Sequence, residues 1–458
     1  MKELLISSLL GVVVLGLDLL KLRKAVLPII MLGLLALIGS VLMDWGTNAN
    51  PFANDMLLMD DFALAGIGVI ALLTLFWFAI TSDAYANHHS RTDLYALVLF
   101  SFVGGVILVS YSNLVMMFLG IEILSIPLYV LAASDKHRPE SNEAGFKYFF
   151  LGSVASAILL FGVALVYGVT GSFDFNAIEA SVSGSGTNLI LNAGITLIFA
   201  GFAFKVSAAP FHFWAPDVYQ GAPTPVTAFM SSVVKAGAFL ALYRLAAGPL
   251  QSMIPHFADI LAVMAALTLV VSNLMAAIQS NVKRMLAFSS VSHAGFMLAA
   301  IITAPSNEPG LLLFYGLSYG LATITSFAVL SVVSSYQNDS MEFSSFHGLV
   351  RRNPVLTGAM TLALLSMAGI PPLSGFMAKY FVISSVISSG TIWLAVIMIL
   401  TSVVGMYYYL KLIIAMYTPV ENAGRIVVRG FQHYTYIILS ILLVVLFFAA
   451  GMFEDIGV

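Results

Sequence analysis

The sequence predicts an all-α polytopic membrane protein of about 14 transmembrane helices, arranged as two inverted five-helix repeats that each hold a proline-broken helix. Three observations carry this prediction. Hydrophobic residues make up 60% of the 458 and charged residues only 9%, whereas a soluble domain carries about 25% charged residues. The apolar runs recur at lengths close to the ~20 residues that cross a hydrocarbon core. Two of these runs, five spans apart, contain prolines with a lysine nearby.

Fourteen stretches meet the length requirement: 4–20, 25–43, 62–81, 93–111, 113–133, 146–169, 188–209, 225–247, 256–279, 284–303, 310–336, 355–386, 391–417 and 434–453. Only Lys2 and Glu3 follow the first Met, and no small-residue cleavage pattern ends the first run, so it is read as a retained span. The longest connections follow the second, sixth and eleventh spans and are each under about 20 residues. That leaves no room for a soluble catalytic domain. The chain divides into an N-terminal three-helix segment (1–92), a first five-helix repeat (93–247), a second, inverted repeat (256–417) and a C-terminal helix (418–458).

Net charge is −3, which argues against a nucleic-acid partner, since that would need a basic face. Cysteine is absent, which excludes disulfides, thiolate-ligated Fe–S clusters and zinc–thiolate sites in this chain. The expectation is no cofactor and no metal here, with any redox chemistry elsewhere.

Positive charge sets the expected orientation. Thirteen of the 19 Lys and Arg sit at one set of alternating span ends: Lys21, Arg23, Lys24, Arg91, Lys136, Arg138, Lys147, Lys283, Arg284, Arg351, Arg352, Arg425 and Arg429. The opposite ends hold Lys2 and Arg244 among acidic residues such as Asp44, Asp55, Asp60, Asp174, Glu308, Glu454 and Asp455. Both termini are therefore expected outside, and an even span number agrees. Four lysines remain within apolar segments: Lys205, Lys235, Lys379 and Lys411.

An ionisable group at membrane depth costs several kcal/mol unless it faces a bundle interior, a partner or water. Lys411 lies near the inner end of its span and is expected to snorkel. Glu122, in the middle of the fifth span, and Lys205, in the seventh, fit either a structural ion pair or a relay. Lys235, about ten residues into the eighth span, has no snorkelling route. Lys379 sits in the twelfth span within reach of the outer interface. His293 follows Arg284 by nine residues, which puts it about 14 Å into the tenth span; it fits a neutral core histidine or a relay group. Lysine suits proton transfer better than metal binding, because its ammonium has no acceptor and its neutral form is favoured by desolvation and disfavoured by a nearby carboxylate. A Glu122–Lys205 pair of adjustable separation would then act as a switch, passing its proton to Lys235 and on to Lys379. A tenfold change in proton affinity is worth about 1.4 kcal/mol. Changes of about a hundredfold or more therefore exceed the ~2.3 kcal/mol needed to move one charge against about 100 mV.

The interrupted spans carry Pro210 and Pro216 in the seventh and Pro371 and Pro372 in the twelfth. Proline removes a donor and clashes with the preceding turn, and unwound backbone at membrane depth must be buried or line a wet cavity. Because five is odd, a copy displaced by five spans is inverted.

The runs KVSAAPFHFWAPDVYQGAPTPVTAFMSSVVKAGAF, QSNVKRMLAFSSVSHAGFML and AGIPPLSGFMAKYFV resemble the antiporter-like membrane subunits of respiratory complex I, the NADH-quinone oxidoreductase, over nearly the whole chain. The resemblance implies two inverted bundles with a polar axis at mid-membrane. It implies relay roles for Glu122 and its partner Lys205, for the central Lys235, for His293 along the axis and for Lys379 at the outward exit. Glu143 matches an acidic position of the family, although a solvated pair with Lys147 explains it equally well. NADH, FMN, Fe–S clusters and quinone are then expected in partner subunits, with other membrane subunits on both lateral flanks, lipid around the bundle, and protons and internal water as its cargo. The same motifs also fit a subunit of a multisubunit cation/proton antiporter. An inactive scaffold fits less well, having no reason to bear the cost of buried charges.

Overall fold

Apolar helices form at all fourteen expected positions, and polar side chains start several of them. Asp60, Asn113, Asn188, Asn281 and Asn353 each accept a hydrogen bond from a first-turn backbone N–H, which satisfies donors that a helix start otherwise leaves open. The computed structural model describes residues 2–46, 50–52, 56–82, 91–184, 188–303, 309–420, 424–428 and 430–453. Asp55, Glu308, Arg429, Glu454 and Asp455, used above for orientation, lie outside the described residues.

In chain order the elements are α1 (Lys2–Leu19), α2 (Val26–Asp44), a hairpin of β1 (Asn50–Phe52) and β2 (Leu57–Met59), α3 (Asp61–Thr81), α4 (Arg91–Ser110), α5 (Leu114–Ala132), α6 (Pro139–Thr170), α7 (Phe175–Gly184), α8 (Leu189–Lys205), α9 (Trp214–Gly221), α10 (Thr224–Phe229), a π turn (Met230–Val234) and α11 (Lys235–Ala247). There follow α12 (Ile254–Ala277), α13 (Val282–Ile302), α14 (Pro309–Ser335), α15 (Leu349–Arg352), α16 (Pro354–Ala368), α17 (Ser374–Ser388), α18 (Ile392–Tyr417) and α19 (Gly430–Phe448). Among the described residues eleven helices, with α10–α11 counted as one, are long and apolar enough to cross a membrane. The remaining three are α1, which carries Lys2, Glu3 and Asp18, and α8 and α16, which have 17 and 15 residues because a break shortens each.

Several boundaries differ from expectation, for physical reasons. Helix α6 begins at Pro139 rather than near 146, because proline at the first helical position is pre-set for the helix. Helix α8 stops at Lys205 rather than 209. Ser207 has a left-handed φ of 62°, and the Ala208 N–H bonds back to the Ala203 carbonyl. The twelfth span is two helices, α16 ending at Gly369 with φ of 83° and α17 restarting at Ser374. The short α7 was not expected at all.

The connections sort to two ends of the bundle. At one end Lys2 pairs with Asp44, Leu57 bridges Tyr111, and Asn113 bridges Asp174. At the other, Asn281 bridges Glu342 and Lys411 reaches the Gln279 carbonyl at 3.4 Å. Helices α10–α11 and α13 are buried apart from Ala247 and Arg284, with α3 and α14 nearly so, while α6, α12, α18 and α19 turn broad apolar faces outward. Close helix approach relies on small residues, as in other membrane bundles. A Cβ on Gly104 of α4 would lie 2.2 Å from the Leu124 backbone nitrogen of α5. Gly104→Val is therefore expected to cost about 3 kcal/mol or more by overpacking, read as loss of chain from the purified assembly and a lowered thermal midpoint.

Candidate relay site of buried lysines

Each broken helix is repaired by its neighbours. In the first, the Ala209 N–H donates to Thr268 Oγ1 of α12 at 2.8 Å, and Trp214 Nε1 donates to the Phe204 carbonyl at 3.0 Å. In the second, the Gly375 N–H donates to Ser366 Oγ at 3.0 Å. Lys379 Nζ donates to the Ala368 carbonyl at 3.2 Å, so an ammonium caps the negative end of α16. A side chain at Gly369 would put its Cβ 3.0 Å from Lys379 Cδ; the glycine supplies both the turn and the space.

Lys205 closes α8 and is buried. Its Nζ donates to Ser125 Oγ on α5 at 2.6 Å, and it stands 5.9 Å above the Tyr148 ring of α6. Glu122 lies one turn before Ser125, half-buried, and accepts from Ser156 of α6 at 2.5 Å. Lys205 and Glu122 are not within the 4.0 Å of an ion pair. A small cavity beside Ser125, Tyr129, Tyr148, Ser156 and Lys205 lies on this side of the bundle, with room for about one water.

Lys235 opens α11 directly after the π turn, the kind of local widening that often marks functional positions. Its buried Nζ donates to the Ser290 carbonyl at 2.7 Å and to Ser290 Oγ at 2.6 Å. One turn along α13, His293 Nδ1 meets the Tyr315 hydroxyl at 2.8 Å and Nε2 meets the Tyr409 hydroxyl at 3.3 Å. The Tyr409 hydroxyl also contacts Ser289. One further turn on, Phe296 lies 5.0 Å beneath Lys379 Nζ. Helix α13 therefore carries the contacts of Lys235, His293 and Lys379 over six residues, or about 9 Å of helix axis. A second cavity, also with room for about one water, is lined by His293, Tyr315, Ser318, Tyr319 and Ser366.

The structure thus brings Lys235, His293 and Lys379 to one helix, with Lys205 and Glu122 on the α5–α6–α8 side. Among the described residues no group of three or more His, Asp or Glu converges as a metal site would. Several further contributors carry no local signal in the sequence. Tyr219, in DVYQG, is buried beside both Ser207 and Ser290, between the two groups of residues. Lys283, grouped above with loop charges, is buried and donates to the Ala222 carbonyl at 2.5 Å, capping α9. Asp217 is the hub of an ionic cluster. It accepts from Lys147 and from Arg284, each at 2.9 Å, and joins α6, α9 and α13. Glu143 reaches only the outside of that cluster, 2.7 Å from Lys147 with its side chain 62% exposed. An exposed pair is worth about 1 kcal/mol or less. Glu143→Gln is therefore expected to leave the thermal midpoint nearly unchanged, whereas Asp217→Ala, which sets Lys147 against Arg284, lowers it measurably.

Comparison with known proteins bears on this geometry. Residues 112–405 match the family described as NADH:quinone oxidoreductase/Mrp antiporter, transmembrane. A NADH-quinone oxidoreductase subunit N of Cytophaga hutchinsonii is 42% identical over 459 residues, covering 100% of this chain and 98% of the relative. A chain of respiratory complex I from Thermus thermophilus with bound aureothin superposes with a TM-score of 0.85 at 35% identity, covering 98% of each chain. A chain of the Mrp complex from a Dietzia species superposes with a TM-score of 0.84 at 21% identity, covering 99% of this chain and 96% of that one, and shares the fold. The chain thus belongs to the NADH:quinone oxidoreductase/Mrp antiporter family of transmembrane subunits.

Proposed function

We propose that this chain is a non-redox, proton-translocating membrane subunit of a NADH-quinone oxidoreductase. One observation carries the reading: Lys205, Lys235 and Lys379 are each buried, and each is held by hydroxyl or carbonyl oxygens with no carboxylate within ion-pair distance among the described residues. A buried structural ammonium is normally paired with an acid. These three are held by neutral oxygens, so the proton can leave without orphaning a buried anion. Glu122 biases Lys205 from beyond contact distance, and Lys235, His293 and Lys379 hand the proton along α13. The two halves, 93–247 and 256–417, each contribute one broken helix, with both chain termini outside. Flavin, Fe–S clusters, NADH and quinone belong to partner subunits. The outward apolar faces of α6 and α12, with Phe150 and Val263, meet lipid or adjoining membrane subunits.

The relatives named above are subunits of such an enzyme, and their full-length similarity supports this reading over the antiporter one, for which the likeness extends to the fold alone. The native assembly, purified through a tag on this chain and reconstituted into liposomes, is expected to contain flavin and iron and to acidify the lumen on addition of NADH and quinone. If the chain instead co-purifies with small membrane proteins alone and exchanges Na⁺ for H⁺ without NADH, the antiporter reading replaces it.

A further inference from the structure

A large cavity lies outside the relay. It measures about 810 Å³ and opens where α13 ends, α14 begins and α17 ends. It is unusually rich in hydroxyls for a membrane bundle, with Ser384, Ser385, Ser388, Ser389, Thr303 and Thr391 on its wall. Among the described residues the hydroxyls of Ser384, Ser385 and Ser388 have no hydrogen-bond partner, so they are available to water.

Three helices run from this vestibule to the one-water chamber beside His293, and each places a phenylalanine between the two. On α13 the order is Thr303 in the vestibule, then Phe296, then His293 in the chamber. On α14 it is Leu311, then Phe314, then Ser318. On α17 it is Ser384 and Ser385, then Phe381, then Ala378 and Gly375. The steps are three, four or seven residues, which keep each series on one helix face. Phe314 and Phe381 meet edge-on with centroids 5.7 Å apart, and Phe296 underlies Lys379 Nζ at 5.0 Å.

We propose that Phe296, Phe314 and Phe381 form an apolar valve, and that the serine-lined vestibule above it is the outer aqueous approach to Lys379. The proposal rests on the relay reading and adds the place where that relay meets outside water. A constriction of this kind gates by dewetting: water fills the hydroxyl-lined vestibule, stops at the rings, and crosses only when Phe381 swings aside. The shut valve keeps Lys379 from exchanging its proton outward before the relay is loaded.

The chain has no cysteine of its own, so single cysteines in it report water access within the assembled complex. With the valve intact, Ser384→Cys is expected to react with a membrane-impermeant thiol reagent added from the outside, and Ser318→Cys to resist it. Adding Phe381→Ala should make Ser318→Cys reactive. It should also raise the passive proton leak of NADH-free proteoliposomes by about threefold or more, and Lys379→Met should cancel that leak. Phe314→Ala serves as a second variant. The valve is overturned if Ser318→Cys reacts with all three rings present, if Ser384→Cys is shielded from the outside, or if neither alanine variant, assembled in normal amount, raises the leak. The labelling boundary needs no phenylalanine variant, so it stays decisive if one fails to assemble. The relay reading fails separately, if Lys379→Met alone leaves NADH-driven pumping intact.

Discussion

Lys235→Met is expected to abolish NADH-driven proton translocation through this chain while leaving the assembly in place. Methionine approximates the length of the lysine stem but carries no proton. The partners it leaves behind are the Ser290 hydroxyl and carbonyl; two unmet acceptors cost about 1–3 kcal/mol each, offset in part by no longer burying an ammonium. Among the described residues no carboxylate pairs with Lys235, so the fold should survive where loss of an ion-paired lysine would threaten it. The measurement is protons moved per NADH oxidised in proteoliposomes, normalised to assembled complex. Full turnover together with full pumping in the variant would sink the relay assignment. Lys235→Arg makes a useful contrast, because a guanidinium stays charged throughout and should block transfer as firmly as methionine does.

Asp60→Ala should have the largest effect on stability. Arg244 of α11 is buried, with Nη2 at 2.5 Å from Asp60 Oδ1, Nε donating to the Val109 carbonyl at 2.8 Å, and its guanidinium 5.2 Å from the Phe62 ring. Removing one partner of a buried pair costs about 3–5 kcal/mol, because the other charge is left unmatched. Asp60 also caps α3 through the Ala63 N–H at 2.7 Å, worth about 1 kcal/mol more. The expected result is a sharp fall in assembled chain and in its thermal midpoint. Asp60→Ser combined with Arg244→Met, which keeps a capping oxygen and removes the stranded charge, should recover most of that loss. If the single Asp60→Ala change leaves the midpoint within error, the pair contributes nothing to stability.

Arg244 also marks the boundary of what sequence reasoning reaches. Its position at a span end is legible from hydropathy, and there it reads as a loop charge; that it turns inward to Asp60 depends on a residue 184 positions away. Lys283 is a second case, because its burial follows from where α9 ends. Asp217 was passed over because a lone aspartate after a proline carries no local signal. The helix breaks were visible as prolines, but their extent was not, since Ser207 and Gly369 rather than the prolines end α8 and α16.

Composition and span length were enough to determine a fourteen-span bundle, and apolar context alone singled out Glu122, Lys205, Lys235, His293 and Lys379, because each charge in hydrocarbon has a cost that is readable one residue at a time. Tertiary structure decided what each of them touches: that Lys235 meets a serine rather than an acid, that Glu122 and Lys205 stand apart, and that one face of α13 connects Lys235, His293 and Lys379. The reason is physical. Desolvation belongs to a position along the chain, whereas a hydrogen bond belongs to a pair of positions, and the pairing is settled only when helices far apart in sequence pack together.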